Sequence, residues 1–90
     1  MRHEISLTKY LKEVQSLLKR NGFMVNRLHL STSLNSDLKL HPNDYYFLTL
    51  DMEDLLHKPV DIDKVYDAKT VRDLVTLLSK EVAEVAEIAD

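Results

Sequence analysis

Apolar residues recur every three or four positions through most of this chain, with one long interruption between the first periodic stretch and the second. Leu7, Tyr10, Leu11, Val14, Leu17 and Leu18 advance by steps of three and one, which places them on a single helical face. Lys9, Lys12, Glu13 and Lys19 fall on the other side. Lys19 and Arg20 occupy what would be the last turn, and Gly22 suits the left-handed residue that often follows a helix. A first helix over about residues 4 to 20 is predicted. From Phe23 to His41 the period dissolves. Ser31-Thr32-Ser33-Leu34-Asn35-Ser36-Asp37 is polar and turn-forming, yet Phe23, Leu28, Leu34 and Leu38 recur around and within it. Structureless connections of that length are uncommon in small domains. The recurring apolar residues predict a loop pinned to the core.

The second helix is expected to begin at Pro42, whose fixed φ suits a first helical position and whose missing amide costs nothing there. Asp44 follows in the first turn, where a carboxylate favours the helix dipole. Tyr45, Leu48, Met52, Leu55 and Leu56 form the predicted inward stripe, and Thr49 should be half-buried. Pro59 closes the helix, because the residue before a proline is pushed out of the α region. Asp61-Ile62-Asp63-Lys64-Val65-Tyr66 reads as a single helical turn. Thr70-Val71-Arg72-Asp73 has the form of a capping box, with aspartate in place of the usual glutamate. Val71, Leu74, Val75 and Leu78 continue with helical spacing, and Val82, Val85 and Ile88 extend the stripe almost to the last residue. The expected architecture is an all-α four-helix bundle: three main helices, one short helix, and a long loop between the first two. One domain should cover 1–90, with residues 80–90 as a helical C-terminal extension.

Composition narrows the function classes. With 90 residues and no cysteine, the chain has no disulfide, thiolate metal site or cysteine nucleophile. A net charge of −3 offers no basic footprint for nucleic acid. No apolar run is long enough to span a membrane and no signal-type core follows Met1-Arg2-His3-Glu4, so a cytoplasmic location is expected. His3, His29, His41 and His57 lie in four separate segments without helical ligand spacing, and are expected to be surface residues rather than a metal site. His41 and Asp44 can meet across the start of the second helix as a local cap. No phosphate-binding glycine loop, Ser/His/Asp arrangement or paired-carboxylate motif is present, so catalysis is not expected.

The segment Asp37-Leu38-Lys39-Leu40-His41-Pro42-Asn43-Asp44 resembles the Asp-Leu-Gly-x-Asp-Ser-Leu stretch with which acyl carrier proteins enter their second helix. Asp37 and Leu38 match its opening, and Asp44 matches the acidic residue two places after the family serine. Leu48, Met52 and Leu56 take the apolar positions of that helix, Val60 fits the isoleucine after it, and Gly22 the glycine after the first helix. Thr70-Val71-Arg72-Asp73-Leu74-Val75 is similar to the family's Thr-Val-x-Asp-Leu-Val, in the same ungapped register. The resemblance implies the carrier fold and a place in lipid, fatty-acid or polyketide metabolism.

The same register puts Lys39 at the family's glycine, His41 at its second aspartate, Asn43 at its leucine and Pro42 at the serine that carries 4′-phosphopantetheine. Attaching that arm needs a hydroxyl able to attack a phosphate, and proline has none. Ser36 could substitute only with a register shift of six residues, which would bury Pro42 inside the helix at a cost of about 3 kcal/mol. Thr49 lies too far along the helix. No cofactor is therefore expected, although a displaced arm on Ser36 stays open as an alternative, as does a small helical adaptor unrelated to acyl transfer.

Carrier proteins meet their enzymes mainly through acidic residues of the second helix. The resemblance thus implies partner binding by Asp44, Phe47, Leu50, Glu53 and Asp54, which share the outward face, with Asp51 beside them. Phe47 replaces a residue that is usually acidic, pointing to a biosynthetic enzyme or other protein outside the standard set. Val82, Val85 and Ile88 form a second apolar seam, open either to packing along the first helix or to self-association.

Overall fold

The computed structural model describes the backbone of residues 2–25 and 28–89 and the side chains of residues 9–25 and 28–82. Four helices are found among the described residues: α1 (Arg2–Arg20), α2 (Pro42–Leu56), α3 (Ile62–Tyr66) and α4 (Val71–Ala89). An isolated antiparallel bridge pairs Ser33 with Thr70. The all-α class and the order of three longer helices and one short one follow the periodicity, and α1 starts two residues earlier than expected.

Each helix end has a local cause. Gly22 has φ +89°. The Phe23 amide donates to the Leu18 carbonyl and the Gly22 amide to that of Lys19, at 3.0 Å each. This paired pattern is the glycine-terminated helix end expected of a left-handed residue past the last turn. Phe23, carried back by the turn, packs against the core. At the start of α2 the Asp44 carboxylate accepts the His41 amide at 2.8 Å, so the predicted local cap forms. At its end His57 adopts φ 57° and its amide donates to the Glu53 carbonyl. The Asp61 carboxylate caps α3 by accepting the Asp63 amide at 3.0 Å.

The long loop is pinned, as the apolar residues within it predict. Leu28 and Leu34 are buried, and Phe23 and Leu38 are partly so. Val25 and Leu40 are buried as well, without having stood out in the sequence. Polar ties run alongside. Gln15 donates from Nε2 to the Val25 carbonyl, and the carbonyls of Thr32 and Leu30 accept the amides of Val71 and Arg72 at 2.9 Å. Those two amides open α4 and have no partner inside the helix. The loop thus supplies caps for a helix more than thirty positions downstream, as the sequence numbering itself shows.

Val14, Leu17 and Leu18 of α1 meet Leu48 and Met52 of α2, Val65 of α3, and Val71, Leu74, Val75 and Leu78 of α4 in one core. Two expectations need correction. Leu55, assigned to the inward stripe, is 39% exposed. It lies seven residues after Leu48 and so shares that face, but it sits in the last turn of α2, where α1 and α4 leave a groove. Thr49, expected half-buried, is buried, and its hydroxyl donates to the Tyr45 carbonyl at 2.8 Å. The side chains of His3, Leu7, Val85 and Ile88 lie outside the described residues; Val82 is partly buried.

Candidate functional site

The outward side of α2 carries an unusual amount of exposed apolar surface. Phe47 is 50% and Leu50 42% exposed, and Tyr46 beside them is 48% exposed. The Tyr46 and Phe47 rings meet edge-on with centroids 5.8 Å apart, a favourable aromatic geometry. Phe47, Leu50 and Asp54 advance by three and four residues, so they line one strip along the helix. The helix from Pro42 to Leu56 contains no lysine or arginine.

The structure divides the five predicted contact residues into two groups. Phe47, Leu50 and Asp54 are exposed. Asp44 and Glu53 are half-buried and hold the chain together: Asp44 caps α2, and Glu53 accepts the Val60 amide at 2.8 Å, fixing the turn after the helix. Asp51 is likewise engaged, accepting from Asn21 Nδ2 at 2.8 Å and lying 3.8 Å from the Arg20 guanidinium. Asp54 is 77% exposed at the edge of the same guanidinium, 4.0 Å away. Asp54 is therefore the most exposed carboxylate of the strip, with the Arg20 guanidinium at its edge. Tyr46 was missed in the sequence; an aromatic off the inward stripe and adjacent to Phe47 was the available signal.

Around the start of α2, Pro42 occupies the first helical position and is exposed. Its carbonyl accepts the Tyr66 hydroxyl at 3.1 Å, and the Tyr66 ring stands 5.5 Å from that of Tyr45. Burial, reinforced by the neighbouring Asp44 charge, raises the Tyr45 phenol above its ordinary value. Three residues before Pro42, Lys39 adopts φ 56°, a conformation that favours glycine. Ser36 is exposed in the loop, its amide donating to Ser33 Oγ at 2.9 Å.

His29, His41 and His57 are exposed and separate, and no cluster of metal-ligating side chains is found among the described residues. No helix in that range is long and apolar enough to cross a membrane. Fold and surface together define a small all-α domain presenting an aromatic and acidic strip on its second helix. No family model, curated protein or solved structure matches the chain.

Proposed function

We propose that this chain is an acyl-carrier-like module without the phosphopantetheine arm, acting in lipid, fatty-acid or polyketide metabolism by binding a partner protein through the outward strip of α2. The observation that carries the reading is Phe47 and Leu50 lying half-exposed, in line with Asp54, on a helix devoid of basic residues. Apolar patches of this kind on small domains are more often interaction sites than accidents. The register behind the carrier resemblance is supported by Lys39: the position where that family keeps glycine is the one whose φ is positive. Pro42 at the first helical position then coincides with the family's attachment serine and offers no hydroxyl.

Incubation with coenzyme A and a promiscuous phosphopantetheinyl transferase, followed by intact-mass analysis, should leave the mass unchanged. A gain of one arm, mapped to Ser36 or any other hydroxyl, would replace this reading with that of a working carrier. For the strip itself, Phe47→Ala should weaken partner recovery at any salt, whereas Asp54→Lys should weaken it more at low salt, because exposed charge is screened. Glu53 is unsuited to that test, since losing its bond to Val60 would disturb the fold.

A further inference from the structure

Away from the strip, α1, α2 and α4 enclose a groove of about 210 Å³. Tyr10, Leu55, Leu56, Leu78 and Val82 line it together with Lys9 and Glu13, and Leu55 is 39% exposed. By helix geometry Leu55 points roughly 80° from Phe47 and 140° from Leu50, so the groove and the strip are different surfaces.

We propose that this groove is the contact between two copies of the chain, related by a two-fold axis, with Leu55 of each copy seated in the groove of the other. Two observations select a second copy over an unrelated partner. First, the patch carries both a partly exposed apolar residue, Leu55, and an apolar recess large enough to receive a leucine side chain. A surface that holds both knob and hole is self-complementary, which a two-fold contact requires. Secondly, its flanking charges are one cation and one anion, four residues apart on α1. With α1 antiparallel to its symmetry mate, Lys9 faces Glu13 of the second copy and Glu13 faces Lys9 of the second copy. That pairing gives no preference for a basic or an acidic partner, unlike the α2 strip, and favours a copy of itself. The dimer leaves Phe47, Leu50 and Asp54 free on both copies.

Light scattering and sedimentation of the full chain, from micromolar to millimolar concentration, should show the mass rising from one chain towards two. Leu55→Asp should hold it at one chain throughout with helical circular dichroism retained and only a modest loss in melting temperature, because this side chain is already 39% exposed in the single chain while a carboxylate in the last turn of a helix opposes its dipole. Lys9→Glu and Glu13→Lys should each weaken dimerisation by roughly tenfold, since each sets like charges face to face twice. Combining the two exchanges should restore it, and mixing the two single variants should give a mixed dimer tighter than either variant forms with itself. A mass of one chain at every concentration, a dimer indifferent to Leu55→Asp, or a double exchange no better than the single ones would overturn the proposal.

Discussion

Asp73 gathers the amides of Lys69 and Thr70 onto one carboxylate oxygen, at 2.8 and 3.1 Å, just ahead of α4. Those backbone bonds, aided by the Thr70 hydroxyl and the nearby Arg72, hold its pKa below the ordinary 3.8. The Thr70–Asp73 box predicted from sequence is thus half as written. The aspartate reaches back as expected, while α4's first amides take carbonyls from the loop instead of the threonine hydroxyl. A depressed folded pKa means stability that is present above the unfolded carboxylate value and lost as pH falls through the folded one. Asp73→Ala should therefore cost about 0.5–2 kcal/mol at neutral pH, the range for losing a helix cap. Unfolding titrations in strong acid should show that difference shrinking away; a gap that stays constant with pH would mean the carboxylate charge is not what caps α4.

Within α2, Leu48 and Leu50 are two residues apart and on opposite sides, one 1% and the other 42% exposed. Leu48→Ala and Leu74→Ala should each lower stability by roughly 2–5 kcal/mol, the range for truncating a packed leucine. Leu50→Ala should change it by no more than about 0.5 kcal/mol. Chemical denaturation ranking Leu50 with the other two would contradict the facing of this helix. That facing was legible in sequence because helical side-chain direction follows residue number. Leu55 shows where the rule ends: angle alone put it inward, but whether a neighbour meets it depends on where the other helices stand. The cap made by Asp44 was legible, because it spans only three residues, but the tie from Glu53 to the Val60 amide was not, since an acidic residue on an outward face and one holding a backbone amide seven residues on look the same in a sequence.

Across the whole molecule, an ion pair ties the turn after α2 to α4 beside the core. Lys58 Nζ lies 2.7 Å from Glu81 Oε2, with the glutamate side chain only 6% exposed and the lysine 21%. Breaking a pair this enclosed strands a charge, whereas replacing both members with apolar side chains does not. Lys58→Met should cost about 3 kcal/mol, at the lower end for a buried pair because the lysine keeps some solvent. Adding Glu81→Leu should recover most of that loss in equilibrium unfolding. If the double variant is no more stable than Lys58→Met, Glu81 does not depend on the pair. The two residues are far apart in sequence, and nothing in either segment announces the other.

The order of the helices, the end of α1 before Gly22, the start of α2 at Pro42 and, among the described side chains and Leu55 apart, the apolar faces of α1, α2 and α4 were determined by the sequence alone. Period, φ preference and missing amides act over a few residues and need no knowledge of what lies across the core. The pinning of the long loop was legible too, through Leu28 and Leu34. Which carbonyls of that loop cap α4, which acidic residues of α2 are engaged by distant groups, and why Leu55 stays partly exposed beside a groove were decided by the tertiary structure. Each depends on groups brought together from distant parts of the chain, and no local pattern encodes the distance between them.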